Sequence, residues 1–234
     1  QIFLGLGAVA TKTYVDDVFS TFLYKGSSNS ESGPSQAINN GINLSGEGGL
    51  VWLKSRTANN ENCLTDTIMG AGKRLISESN GALSTNTQSV ASFTSTGYTL
   101  PSGWNPAVNA GNQDYTSWTF RKAPGFFDVV TYTGNGSNQN ISHSLGCVPG
   151  CIMVKRLDTT KDWCVYHRAT GKSQHLELNN TDVAYTSTTR WNQTDPTASV
   201  FTVGDSSQTN TNAATYVAYV FAGGESTAAT ARSV

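Results

Sequence analysis

Three cysteines and a histidine in the second half of the sequence have a spacing that a zinc site would tolerate. The pattern is Cys147-x3-Cys151-x12-Cys164-x2-His167, and thiolate and imidazole groups are the ligands of structural zinc. Cys151 and Cys164, however, each lie in a short apolar run typical of a β-strand, where a free cysteine is a small buried hydrophobic residue. We therefore interpret these thiols as core residues and predict no metal site. Together with Cys63 they lack the spacing of a disulfide framework, which favours synthesis in a reducing cytoplasm.

Signatures of catalysis are few. The chain has 3 histidines and no Gly-x-Ser-x-Gly motif, so a serine hydrolase would lack its local signature. The stretch Gly70-Ala71-Gly72-Lys73 superficially resembles a phosphate loop, but Thr67 and Arg74 stand where that loop needs a glycine and a hydroxyl residue. We predict that the protein is not an enzyme and uses no cofactor. Glycoside cleavage by two distant carboxylates stays an alternative, because sequence alone does not pair the 16 acidic residues.

Two tryptophans supply the one positive hint of binding. Trp104 and Trp191 follow turn-forming residues and precede Asn105 and Asn192, which predicts that both rings lie in loops. Sugar faces and protein partners both use such rings, with neighbouring amides and hydroxyls as hydrogen-bonding groups. These four residues are the candidate binding residues, for a glycan or a protein partner, and packing of the rings as loop anchors is the alternative.

Charge and hydropathy argue against two classes of partner. The chain has 15 basic and 16 acidic side chains, a formal net charge of −1, and only 13% charged residues. Such a balance lacks the positive field that a nucleic acid or an anionic bilayer attracts. No apolar run approaches the roughly 20 residues of a membrane-spanning helix. We predict no nucleic-acid binding and no membrane insertion.

Hydrophobic alternation predicts many short strands and almost no helix. Runs of four to eight residues rich in β-branched and aromatic side chains are separated by turn sequences such as Gly134-Asn135-Gly136. The predicted strands are residues 19–25, 50–56, 73–77, 89–93, 115–121, 127–133, 151–157, 163–167, 175–179, 200–203 and 216–221. This pattern is typical of antiparallel sandwiches. The predicted fold is therefore all-β, with jelly-roll or lectin-like β-sandwich units and an extended N-terminal arm.

An internal duplication organises the chain. Three segments recur in the same order: Phe22–Gly26 as Val130–Gly134, Leu50–Lys54 as Cys151–Lys155, and Tyr115–Phe120 as Tyr216–Phe221. The offset falls from 108 at Tyr24 and Tyr132 to 101 at Tyr115 and Tyr216, so the first unit holds seven extra residues. We expect them around Ser30 to Ser35, in a surface loop where insertions cost little.

These matches divide the chain into four segments. We predict a docking arm at residues 1–18, sandwich units at 19–122 and 126–222, and a linker to a further region at 223–234. The joint near Pro124 is short, which favours close packing of the units. Within the arm, Ile2, Phe3, Leu4 and Leu6 would bury against partner chains as an added strand or clamp.

Several strings resemble repeats of virion proteins from marine, cyanophage-like bacteriophages, which are labelled tail fibre or structural proteins. The strings are Phe19–Gly26, Gly48–Arg56, Val130–Gly136, His143–Gly146, Trp163–His167 and Ala214–Tyr219. The resemblance covers nearly the whole chain, and Glu225–Val234 is similar to a junction with a further module. Such motifs specify a family rather than a chemistry.

The resemblance implies a virion structural protein, a tail fibre or tail-associated component that displays or attaches host-recognition modules. It implies synthesis in the bacterial cytoplasm, location on the tail or outer surface of the virion, other virion proteins as partners, and a homo-oligomer with a trimer favoured. Two alternatives stay open: a capsid-surface decoration protein, and an adhesin that binds a host surface glycan directly.

Overall fold

The computed structural model describes residues 13–85, 89–224 and 229–230. Within these ranges the chain is nearly all β, and only one strand pair is parallel. The predicted all-β, antiparallel sandwich character is confirmed. A single helical turn, α1 (Val15–Val18), buries Val18 completely ahead of the first long strand.

Eight strands form the N-terminal half, residues 19–122, which begins directly after α1. They are β2 (Phe19–Lys25), β3 (Gln36–Asn39), β4 (Gly49–Ser55), β5 (Cys63–Asp66), β6 (Leu75–Ile76), β7 (Ser92–Thr94), β8 (Gly97–Leu100) and β9 (Asp114–Arg121). A large sheet has the order β2-β9-β4-β5-β6, and a small sheet has the order β3-β8-β7.

Eight more strands form the C-terminal half, residues 126–222. They are β10 (Phe127–Thr133), β11 (Gln139–Ser142), β12 (Pro149–Arg156), β13 (Cys164–His167), β14 (Gln174–His175), β15 (Tyr185–Thr186), β16 (Val200–Val203) and β17 (Thr215–Ala222). The large sheet has the order β10-β17-β12-β13, while β11-β16 and β14-β15 form two-stranded sheets. Strand for strand, β10-β17-β12-β13 repeats the order β2-β9-β4-β5 of the first half.

The large sheets are apolar on both faces, which explains their long hydrophobic strands. In β4, Val51 and Leu53 point to one face and Leu50 and Trp52 to the other, as the two-residue period of a strand requires. A strand that is covered on one face only would alternate with polar residues instead. Each large sheet must therefore be covered on both sides.

Three apolar layers lie between the sheets. The first lies between the small and large sheets of the N-terminal half, and the second lies between the large sheet and the pair β11-β16 of the C-terminal half. The third joins the two large sheets face to face. Its buried members are Leu50, Leu64, Met69, Leu75, Phe127, Val129, Met153, Trp163, Val165, Val217 and Tyr219.

Hydrogen bonds across the third layer fix how the halves sit. The Tyr219 hydroxyl donates to Asp66 Oδ2 at 2.9 Å, and both residues are fully buried. Trp163 Nε1 donates to the Ile76 carbonyl at 3.0 Å. At the rim, a backbone bond of 2.9 Å links Leu83 N to the carbonyl of residue 157. Each bond satisfies a polar group that burial would otherwise penalise.

Matching details support the inferred duplication, which itself stays a prediction. Tyr24 stacks on Tyr115 with ring centroids 5.1 Å apart, and Tyr132 stacks on Tyr216 at 5.0 Å. The Tyr115 hydroxyl donates to the carbonyl of residue 106 at 2.9 Å, and the Tyr216 hydroxyl donates to that of residue 207 at 3.2 Å. Both acceptors lie nine residues before their tyrosine, so the same loop is built twice.

The extra residues of the N-terminal half lie in two places. The offset between equivalent strands is 108 from β2 to β10, 103 from β3 to β11, and 101 from β9 to β17. Five residues are therefore added in the loop of residues 26–35, and two more before β4. The larger insertion agrees with the expected surface loop around Ser30 to Ser35.

Two sequence expectations need correction. Strands β3, β5, β8 and β11 were not expected, because each is only four residues long and partly polar. The last four residues of the predicted arm are not extended: the strand β1 (Thr13–Tyr14) pairs in parallel with β18 (Ala229–Thr230), but the residues that follow it form α1. The two terminal segments therefore meet.

The buried bond between the halves predicts a stability loss on removal of one oxygen. Tyr219→Phe leaves Asp66 Oδ2 without its donor in a site without solvent access. We expect the free energy of unfolding to fall by about 1–3 kcal/mol, because a buried acceptor loses its partner. Urea denaturation, monitored by tryptophan fluorescence, measures the free energy of unfolding of the variant and of the wild type.

Tyr185→Phe is the matched control, since the Tyr185 hydroxyl also donates to an aspartate, Asp182, but at the surface with the tyrosine 38% exposed. Its expected cost is below about 0.5 kcal/mol. Equal losses in the two variants would contradict the importance of the buried bond.

Asp66 also predicts a pH dependence. Burial raises its pKa above the ordinary 3.8, against the opposing hydrogen bonds from Met69 N and Tyr219. The folded state therefore holds this proton more tightly than the unfolded state. The contribution of the protonated group is complete below its ordinary pKa and is lost as the pH rises through the raised value.

We expect the free energy of unfolding of the wild type, measured against that of Asp66→Asn, to fall as the pH rises above the ordinary pKa of 3.8. Urea denaturation of both proteins at a series of pH values supplies the difference. A difference that stays constant or rises with pH would show that Asp66 ionises as easily in the folded state as in the unfolded chain.

Candidate functional site

A cavity of about 780 Å³ lies at the end of the N-terminal half that is formed by the small sheet. Its walls come from three stretches that are far apart in sequence. They are the inserted loop with Glu31 and Ser35, the turn Ala71–Gly72, and the end of β8 with the loop that carries Trp104. The volume falls within the range of about 300–1,000 Å³ that is usual for small-molecule sites.

The loop after β8 holds the Trp104 ring outward. Asn105 Oδ1 accepts from Ala107 N at 3.0 Å, and the Asn105 carbonyl accepts from Asn109 N at 2.8 Å. These bonds form a tight turn that buries Asn105 to 4% exposure. Trp104, one position earlier, remains 50% exposed at the edge of the cavity.

The inserted loop is fastened to the tryptophan loop through two glycines. Gly103 N donates to the Gly33 carbonyl at 2.9 Å, and Ser28 Oγ donates to the Ser30 carbonyl at 3.0 Å. Gly103 has a φ of +91°, and a Cβ there would lie 2.9 Å from the Glu31 carbonyl. Only glycine allows this approach of the two loops.

The third wall is the glycine-rich stretch that resembled a phosphate loop. Gly70 and Gly72 have φ values of +96° and +75°, and Gly72 N donates to the Val90 carbonyl at 2.8 Å. Its N–H group is therefore engaged in the turn. The stretch is a turn that lines the cavity with a methyl group and backbone.

The lining is chemically mixed and suited to binding. Glu31 is the single ionisable residue among those that line it, and Ser35, Thr99 and Ser102 contribute hydroxyl groups. General acid and base catalysis of glycoside cleavage needs two carboxyl groups, so this lining does not supply it. An indole face, hydroxyl groups and one carboxylate can instead hold a ligand that has both an apolar face and polar edges.

The C-terminal half differs at two features that build this cavity. Asp205 stands 101 positions after Trp104, and the loop between β10 and β11 is five residues shorter than the loop between β2 and β3. The exposed tryptophan and the insertion are thus specific to the N-terminal half.

The expectation that Trp191 lies exposed in a loop is wrong. Its ring is 2% exposed, packs edge-on against Tyr166 with centroids 5.8 Å apart, and donates from Nε1 to the Gln174 carbonyl at 3.1 Å. Trp191 instead anchors its loop in the core, which is the alternative interpretation of this ring. Asn192 is half-buried, with a φ of +49°, and occupies a turn. The cavity thus brings together Trp104 and Asn105 but neither Trp191 nor Asn192.

The cysteines of the zinc-like pattern point to different layers. Cys164 lies in the core of the C-terminal half, whereas Cys151 packs against the layer between the large sheets. Burial raises the pKa of Cys151 to about 11. Among residues 13–85, 89–224 and 229–230, no group of three or more His, Cys, Asp or Glu side chains could hold a metal ion.

One pair of carboxylates does come together, in the C-terminal half. Gln208 Nε2 donates to Glu177 Oε1 at 2.8 Å and to Asp162 Oδ2 at 3.5 Å. The remaining oxygens accept from Asn179, at 2.9 Å to Asp162 Oδ1, and from Asn180, to Glu177 Oε2. Every carboxylate oxygen thus has a protein donor, so the pair holds neighbouring loops together.

The docking residues of the arm lie outside the described residues; they are Ile2, Phe3, Leu4 and Leu6. Within the described ranges, no helix has the length and apolar character needed to cross a bilayer.

Sequence reasoning missed Glu31, Ser35, Thr99 and Ser102 as neighbours of Trp104. Two signals were present separately, the insertion and the glycine-rich turn, but nothing in the linear pattern brings them to the same place. The contact depends on the tertiary packing of three loops.

The close approach at Gly103 predicts a position-specific cost. Gly103→Ala adds a Cβ against the Glu31 carbonyl at an already strained φ, whereas Gly41→Ala, at a φ of +85°, meets no atom within 4 Å. We expect Gly41→Ala to cost about 1 kcal/mol for the left-handed backbone and Gly103→Ala at least about 1 kcal/mol more. Chemical denaturation compares them, and equal costs would show that the two loops do not touch.

Comparison with known proteins gives one family and no named relative. The model of a family described as "Domain of unknown function (DUF7483)" matches residues 15–228. No curated protein and no solved structure matches the chain. The matched residues run from α1 through β17 and so include both large sheets and the layer between them. Because the match covers nearly the whole sequence, the chain belongs to the DUF7483 family.

Proposed function

We propose that the chain is a structural, non-enzymatic component of a bacteriophage virion. It is part of a tail fibre or tail-associated assembly, where it displays or attaches host-recognition modules. The observation that carries the proposal is the face-to-face packing of the two large sheets, which makes the two halves one stiff body.

Rigidity comes from both the covalent joint and the interface. Phe127 N donates to the Ala123 carbonyl at 3.2 Å and Ala123 N to the Phe127 carbonyl at 3.0 Å, which closes the joint into a tight turn. The apolar layer and the buried bond between Asp66 and Tyr219 resist hinge motion. A spacer that carries load between other modules needs such stiffness.

The nucleophilic side chains of the core are held in inert forms, which supports a role without catalysis. Burial raises the pKa of Cys63 to about 12 and also raises that of Cys164. Both thiols are therefore protonated near neutral pH, and a thiol is a weak nucleophile and a poor metal ligand.

Part of the N-terminal large sheet supports contact with other chains. Leu23, in the edge strand β2, is 58% exposed on the face that also carries Trp118 and Trp52. The two indole rings meet edge to face with centroids 6.1 Å apart and are only half-buried. An apolar strip beside an unpaired strand edge suits packing in the homo-oligomer, favoured as a trimer, that we propose.

Electron microscopy of the parent particle with a gold-labelled antibody against this chain tests the proposal. We expect label on the tail fibres or baseplate, because a display module must project from the tail. Antibody raised against the major capsid protein is the control and should mark the head alone. Label on the head would move the protein to capsid decoration, and no label on purified particles would remove the virion role.

A further inference from the structure

We propose that the cavity beside Trp104 binds a single hexopyranose unit of a neutral or amino-bearing glycan. The ring of the sugar stacks on the indole, and its hydroxyl groups bond with the inserted loop. This inference concerns the first half of the chain by itself and holds whether or not the protein is part of a virion.

The indole face supplies the platform. Of the tryptophans, Trp163 and Trp191 are fully buried or nearly so, while Trp104 keeps 50% of its surface exposed beside a concave wall. Tryptophan is highly buried on average, so a ring that is held open by its own backbone turn has another use. The C–H face of a pyranose is apolar and flat, which matches an indole face.

The polar walls supply hydrogen-bonding groups at the edge of that platform. Ser35 and Ser102 contribute hydroxyl groups, which both donate and accept, and Glu31 contributes two acceptor oxygens. All three residues are exposed. Sugar hydroxyl groups point outward around the pyranose ring and need such donors and acceptors at its rim.

The charge of the lining limits the class of sugar. Among the described residues that line the cavity, Glu31 is the single ionisable one, and none is a lysine, arginine or histidine. A uronic or sialic acid would place its carboxylate near Glu31 without a cation to offset the repulsion. Neutral sugars avoid this cost, and amino sugars gain from it.

The walls are organised before any ligand arrives. The backbone bond from Gly103 to Gly33 and the turn at Asn105 hold the two loops without help from a ligand. Ligand binding therefore needs to order little of the chain, so less of the interaction energy is spent on ordering the loops than in a flexible site.

A comparison of the two halves points the same way. The halves share strand order, register and tyrosine stacking, but Trp104 is replaced by Asp205 and the five-residue insertion is missing from the second half. Both differences converge on one cavity, although neither stabilises a sheet. A function restricted to the N-terminal half accounts for their coincidence.

Titration of the full chain with simple glycosides tests the proposal. The probes are the methyl β-pyranosides of glucose, galactose, glucosamine and N-acetylglucosamine, with that of glucuronic acid as the acidic comparator. Ligand-observed NMR reports contact, and acrylamide quenching of tryptophan emission reports protection of Trp104. We expect at least one neutral or amino glycoside to bind with a Kd of about 1 mM, as suits a single exposed platform.

Three variants locate the site. Trp104→Ala should weaken binding about tenfold, with partial recovery in Trp104→Phe, because the ring provides the stacking surface. Glu31→Gln should reduce discrimination against the glucuronide. Val183→Ala, at a side chain 82% exposed in the other half, is the matched control and should bind as the wild type does. Thermal unfolding of each variant separates loss of binding from loss of fold.

Several results would overturn the proposal. The site fails if every probe has a Kd well above the millimolar range, or if Trp104→Ala binds its sugar as tightly as the wild type does. The charge argument fails if the glucuronide binds more tightly than the neutral glycosides. Because these readouts do not involve the virion, they are independent of the microscopy result.

Discussion

The apolar layer between the two large sheets is the constraint on which the rest of the molecule depends. Because each large sheet is covered on both faces, its strands carry apolar residues at successive positions rather than at every second one. Burial of this layer prevents the two halves from moving about the short joint at residues 123–126. The halves therefore form one rigid body. The buried hydrogen bond from Tyr219 to Asp66 and the hydrogen bond from Trp163 to the Ile76 carbonyl add direction to a layer that would otherwise be held by non-directional contacts.

The rigid layer between the large sheets allows the outer ends of the two halves, where the small sheets lie, to differ in sequence and loop length. The small sheets lie farthest from the shared layer, and their loops can change without disturbing it. The N-terminal half has an insertion and an exposed tryptophan at this end, while the same position in the C-terminal half has a shorter loop and Asp205. A scaffold that is repeated with a changed end can add a binding surface at little cost to its core.

The buried ionisable groups of the two halves belong to the packed cores. Cys63 and Cys164 occupy equivalent positions 101 residues apart, each in the core of its half and each with its pKa raised by burial. The amine of Lys155, also buried, has its pKa lowered to about 8 because burial disfavours its charge. These groups are parts of the packed cores.

The sequence by itself determined the fold class, because alternation and turn residues are local signals: β2 and β10 have the bounds that the pattern predicts. The sequence also located the insertion, because the offset between matching segments changes where residues are added. The sequence did not predict strands such as β3 and β11, because four residues with one buried side chain give too weak an alternation pattern. Only the tertiary structure decided that Trp191 fills a core while Trp104 faces a cavity. Each is followed by an asparagine in a loop, and burial depends on which distant strands and loops pack around each ring.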